Sequence, residues 1–120
     1  MGLDNYTKVV YGWQITGKSV KNITEDLEDI CYDEYDSDIY DILEDFISEA
    51  TMDEKYFYFG SVLVSCDAEE GGWDIIDDDL IKKKQKDLEE MLNKYPKIKE
   101  VFEYYKKDKK PQIYVFQQIW

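Results

Sequence analysis

The sequence predicts an α+β fold: one domain, residues 1–120, with an antiparallel sheet of about four strands and helices on one face. The expected order, β-α-β-β-α-β, is the ferredoxin-like split βαβ arrangement. Three observations carry this expectation. Segments of alternating apolar residues, rich in Val, Ile, Tyr and Phe, stand near both ends and in the middle of the chain. Between them lie stretches whose apolar residues recur every three or four positions. No internal repeat, low-complexity run or long linker divides the 120 residues.

Lys8 to Ile15, KVVYGWQI, puts Val9, Tyr11, Trp13 and Ile15 on one face and reads as a strand. Thr16-Gly17-Lys18 ends it. NITEDLEDIC then reads as a short helix capped by Asn22, with Glu25 completing a capping box. Ile23, Leu27, Ile30 and Cys31 share its inner face. YDEYD, residues 32–36, breaks the pattern. A second helix is expected from Asp36 or Ser37 to Ala50. Ile39, Ile42, Leu43, Phe46, Ile47 and Ala50 fall on one arc of it, and Asp38, Asp41, Glu44, Asp45 and Glu49 on the opposite arc.

KYFYFGSVLVSC, residues 55–66, is a second strand; DAEEGG is a hairpin loop, and WDII, residues 73–76, the returning strand. One of Asp77, Asp78 and Asp79 caps a helix from Leu80, whose stripe is Leu80, Ile81, Leu88, Met91, Leu92 and Tyr95. Lys84 projects into that stripe and is expected to snorkel. Pro96 interrupts the helix. A further turn or two carries Ile98, Val101, Phe102 and Tyr105. After the polar KKDKKP loop, QIYVFQQIW is the last strand, with Ile113, Val115 and Ile119 on one face and Tyr114, Phe116 and Trp120 on the other.

Composition excludes much chemistry. The chain has no histidine, which removes most general-base, nucleophile-activating and zinc arrangements. All 15 basic residues are lysine, so no arginine fork is available for phosphate. There is no phosphate loop or dinucleotide fingerprint; Gly71-Gly72 alone is too weak. Serines 19, 37, 48, 61 and 65 lack a nucleophile-elbow context. DEYDSDIYD and DIIDDD have carboxylates but not the spacing or turn glycine of a calcium loop, and they read as loop and cap residues. No catalytic residue, cofactor or metal is expected, and a carboxylate-metal enzyme is the third-ranked alternative. Cys31 and Cys66 sit in apolar patterns and read as buried thiols. MGLDNYTKVV lacks the features of a secretory signal, and Tyr6 stands where a myristoylation signal would place Ser or Thr. A cytoplasmic protein is expected, in the host cytoplasm if the chain is viral.

Charge is the distinguishing feature. Residues 22–79 carry 21 carboxylates and one lysine, for −20. Residues 80–120 carry +5 and residues 1–21 carry +2, giving −13 overall. On a helix from Asp38 to Glu49, five carboxylates would span roughly 16 Å, about one per 4 Å. A DNA strand presents a phosphate about every 3.4 Å. Like charges at Asp41–Asp45 and Asp45–Glu49 cost a few tenths of a kcal/mol each. Such a face repels nucleic acid and suits a basic protein surface.

The expected binding residues are Asp33, Glu34, Asp36, Asp38, Asp41, Glu44, Asp45 and Glu49, with Tyr35 and Tyr40 flanking them. Tyrosine beside carboxylate suits contact with lysine and arginine, by charge and by attraction to the ring face. In size, charge and helix face, the chain resembles the small acidic inhibitors that bacteriophages make against host defence nucleases. That resemblance implies a non-catalytic inhibitor of a nucleic-acid-binding protein, acting as a DNA or RNA mimic. The alternative is an assembly or housekeeping module whose charge serves solubility, with self-association between the basic and acidic halves open.

Overall fold

The computed structural model of the chain describes residues 5–49, 56–67 and 76–119. Four strands, β1 (Asn5–Thr16), β2 (Ile47–Glu49), β3 (Tyr56–Asp67) and β4 (Gln112–Ile119), form one sheet in the order β2-β3-β1-β4. Every neighbouring pair is antiparallel. Helices α1 (Lys18–Tyr35) and α2 (Ile39–Leu43) follow β1, and α3 (Asp78–Lys94) and α4 (Pro96–Lys106) follow β3. The α+β class and the four-strand antiparallel sheet are therefore as expected. No helix among the described residues is long and apolar enough to cross a membrane.

The two faces of the sheet differ as the alternation dictates. Ile15, Ile47, Phe57 and Phe59 point toward the helices and join Val20, Ile23, Leu27 and Cys31 of α1, Ile39 and Leu43 of α2, Met91 of α3, and Ile98 and Phe102 of α4 in the main core. Trp13 stacks on Phe59 at 5.3 Å between ring centroids. The opposite face carries Val10, Tyr58 and Val62 beside Tyr114 and Phe116. Tyr58 and Phe116 lie parallel at 4.0 Å. Near Val9 the β1–β3 register shifts, with Val9 opposite Val64 and Val10 opposite Val62. The extra residue, Leu63, joins Val9, Val64 and Ile81 in a smaller cluster under α3.

Gly12 and Gly60 face each other across β1 and β3. A Cβ on Gly12 would strike the Phe59 carbonyl oxygen, and one on Gly60 would lie 2.5 Å from that of Tyr11. Gly60 also has φ +136°, a conformation side chains resist. These two glycines let the central strands approach closely.

Several boundaries differ from the sequence expectations. The first helix is not the short one capped by Asn22. It starts at Lys18, after Gly17 at φ 66°, and no side chain caps it. It also runs through YDEY to Tyr35, because Tyr35 continues the buried stripe of Ile23, Leu27 and Cys31 and meets Tyr95 edge-on at 4.7 Å. The second helix does not extend from 36 to 50. Asp38, not Asp36 or Ser37, caps it, and it ends at Leu43. Residues 47–49 are strand, paired with Phe57–Phe59. The pairing is prolonged irregularly by Gly60 N–H to Phe46 O and Val62 N–H to Asp45 O, both 2.9 Å. Sheet pairing overrides the helical period there. The expected hairpin loop and most of the strand at 73–76 lie outside the described residues; Ile76 itself is exposed and not in a strand.

The second half follows expectation closely. The Asp77 side chain accepts the Leu80 N–H at 2.8 Å and caps α3. Pro96 occupies the first turn of α4, where its missing N–H costs nothing. The Lys84 backbone lies against β3, its carbonyl accepting the Ser61 hydroxyl at 3.1 Å.

Candidate functional site

The acidic residues are carried by the end of α1, the short α2 and the turn into β2. Asp33 and Glu34 occupy the last turn of α1, and Asp36 is its cap, at φ 49° and ψ 44°. No basic residue stands in that last turn. The carboxylates therefore sit where the helix dipole is itself negative. A left-handed aspartate adds backbone strain, although aspartate tolerates this conformation better than most residues.

Asp38 joins the two helices. Its Oδ1 accepts the Tyr40 N–H at 2.9 Å, capping α2. Its Oδ2 accepts the Tyr32 hydroxyl at 3.0 Å. Tyr40 in turn donates a long 3.5 Å hydrogen bond to Glu49 Oε1. Tyr32 is 55% exposed and Tyr40 46%. Both rings thus lie among carboxylates with a large part of their surface open.

The titration behaviour of these groups maps the field. The hydrogen bond to Asp38 raises the Tyr32 hydroxyl above its ordinary value, helped by the charges of Asp38, Glu28 and Asp41. Burial, then the charge of Glu49 and its hydrogen bond, push Tyr40 up to about 12, and Glu28 and Asp38 add to this. The buried Cys31 thiol is pushed up to about 11, first by burial and then by the charges of Asp38 and Glu28. One patch therefore contains Glu28, Asp38, Asp41 and Glu49 around Tyr32 and Tyr40. Farther along α1, Asp26 accepts the Tyr105 hydroxyl of α4 at 2.8 Å.

Not every expected binding residue belongs to this patch. Glu44 and Asp45 lie in the turn before β2 and act on Lys8 of β1 instead. Burial lowers the Lys8 pKa, and these two carboxylates oppose that shift. The continuous acidic helix face from Asp38 to Glu49 is thus replaced by two groups, Asp38, Asp41 and Glu49 around Tyr32 and Tyr40, and Glu44 and Asp45 toward Lys8. Tyr35 is half-buried against Tyr95 and serves the helix packing rather than an open surface. Glu28 and Tyr32 take its place, four residues apart and hence on one face of α1. That spacing was the available signal, masked by ending the helix at Cys31.

Asp33, Glu34, Asp36, Asp38, Asp41, Glu44 and Asp45 are all exposed, and no salt bridge among the described residues joins any of them to a lysine. An ion pair that does form, Lys21 to Glu25 at 3.8 Å, lies at the other end of α1. The chemistry available to the patch is electrostatic attraction plus aromatic contact with a cation.

No protein-family model matches this chain. Neither a curated protein nor a solved structure is matched by it.

Proposed function

We propose that this protein is a non-catalytic binding protein that uses its acidic surface to engage and inhibit a basic, nucleic-acid-binding protein. It would do so as a phosphate-array mimic in the host cytoplasm, in the manner of a phage anti-defence protein. The observation that carries the reading is the position of Asp33, Glu34 and Asp36 at the negative end of α1. Acidic groups there oppose the dipole at about 0.3–1 kcal/mol each when close to it. Solubility is served equally well by acids elsewhere on the surface. Their concentration at an unfavourable place, without lysine partners among the described residues, supports a surface kept for an external cation. Release of counterions and long-range attraction would then favour fast encounter. Tyr32 and Tyr40 supply ring faces on which an arginine or lysine can settle. The strand order β2-β3-β1-β4, with helices between β1 and β2 and between β3 and β4, supports assignment to the ferredoxin-like arrangement.

The test is affinity capture from the native host, with the captured protein identified by mass spectrometry. A basic nucleic-acid-binding protein is expected, released by moderate salt and displaced by duplex DNA or RNA. A variant with Asp33, Asp36, Asp38 and Asp41 changed to Asn and Glu34 to Gln should lose it while remaining folded. Capture that is unchanged in this variant, or indifferent to salt, overturns the reading.

A further inference from the structure

We infer that two copies of this chain join through β4, edge to edge and antiparallel, into one continuous eight-stranded sheet. Among the described residues β4 is paired on one side only, with β1, and it ends the sheet. Its eight residues, QIYVFQQI, contain no charge and no proline, in a chain that is 36% charged. Soluble proteins normally protect such an edge with lysine, proline, a bulge or a covering element. Here Ile113 and Val115 are 51% and 69% exposed on the helix side. Their register partners, Tyr11 and Val9, are covered by the clusters under the helices. An uncharged edge of this length offers backbone hydrogen bonds to a partner strand and an apolar row to bury.

Charge selects a second copy in antiparallel orientation. Lys106, Lys107, Lys109 and Lys110 lead into the start of β4, and the Lys109 carbonyl holds Trp13 Nε1–H at 2.8 Å. α3 runs from Ile81, packed on Val9 and Val64, toward Leu88, which lines a pocket with Trp13, so Asp77, Asp78 and Asp79 lie toward the half of the sheet away from the lysine end of β4. Parallel pairing would set two lysine clusters side by side. Antiparallel pairing sends each toward the partner's aspartate end. With Val115 on the two-fold axis, Ile113 faces Gln117 of the other copy, and the helix sides of both copies lie on the same side of the joined sheet.

The net charge of −13 would ordinarily resist self-association. The β4 edge is where that resistance is weakest. Asp38 caps α2 and Asp41 lies in it, and α2 leads into β2 at the opposite edge. With strands about 4.8 Å apart, the two β2 strands of a joined sheet are roughly 34 Å apart. This is several Debye lengths at physiological salt, about 8 Å each. Each copy would keep its acidic patch facing outward, so the pairing is independent of what that patch binds.

The experiment is sedimentation equilibrium of the intact chain over a wide concentration range. The wild type is expected to approach twice its 14.4 kDa mass, and the Ile113→Lys, Val115→Lys variant to remain at that mass with an unchanged far-ultraviolet circular dichroism spectrum. A wild type that stays monomeric up to its solubility limit overturns the inference. So does a dimer that the variant retains. Should the variant misfold, hydrogen exchange of the wild type decides. Amides of residues 112–119 must gain protection as the protein is concentrated, and protection gained elsewhere instead overturns the inference.

Discussion

The hydroxyl of Tyr32 donates to Asp38 Oδ2 at 3.0 Å, linking the last turns of α1 to the cap of α2. The other oxygen of the same carboxylate caps α2. One exposed aspartate therefore ties two helices together and contributes charge to the acidic patch.

Asp38→Ala should remove both contacts. Loss of an N-cap costs about 1 kcal/mol, and α2, with five residues, has little else to hold its first turn. Urea unfolding is expected to show this loss with an unchanged slope. Tyr32→Phe removes one contact only and should lie between wild type and Asp38→Ala. Equal stability of Asp38→Ala and wild type would mean that the cap is not formed.

Asp33→Asn with Glu34→Gln should stabilise the protein, together by about 1 kcal/mol, because both charges oppose the α1 dipole. The same variant should bind the captured partner more weakly and lose part of the salt dependence. A gain in stability without any loss of binding would show that these acids serve another purpose. The paired measurement thus separates an interaction surface from a merely solvated one.

Stability should fall in alkali. Tyr40 and Tyr105 are each raised from 10.0 to about 12, chiefly by burial, with the carboxylates of Glu49 and Asp26 adding to it. Cys31 is raised from 9.0 to about 11. The folded state holds these protons more tightly than the unfolded one. Their contribution is therefore complete below about pH 9 and disappears as pH rises toward about 12. Thermal melts across this range should show a declining midpoint, and the decline should shrink in Tyr105→Phe. A flat profile would contradict the burial of these three groups, and an undiminished decline in Tyr105→Phe would contradict the part assigned to Tyr105.

Cys31 should resist thiol reagents. Its side chain is fully buried between α1 and the core, and its raised pKa leaves little thiolate at neutral pH. Labelling of Cys31, followed by digestion and mass spectrometry, is expected to proceed only as fast as the chain unfolds. Faster labelling would reveal local opening of α1.

Much of the fold was legible because two periodicities were clean. The alternation of QIYVFQQI placed Tyr114 and Phe116 on one face and Ile113 and Val115 on the other, as found. Asp77 and Pro96 punctuated α3 and α4 as their chemistry requires. The failures cluster between residues 32 and 50. Tyr32, Asp33 and Glu34 looked like a break because they are polar, yet they form the outer side of a helix whose inner stripe continues at Tyr35. Ile47-Ser48-Glu49 fitted a helical period but pairs with Phe57–Phe59, a contact that local sequence does not contain. The acidic residues themselves were readable as letters. Their grouping around Asp38 depended on where α1 stops, so it was not.

The facing glycines of β1 and β3 have a consequence for assembly of the chain. Two twelve-residue strands dense in aromatics could slide past one another and still bury comparable surface. Only one alignment brings the two bare backbone positions together, and a slip of two residues would wedge Val10 or Gln14 against Gly60. The pair works like a notch and key, rejecting misaligned pairings of two strands that the chain joins only through α1, α2 and β2.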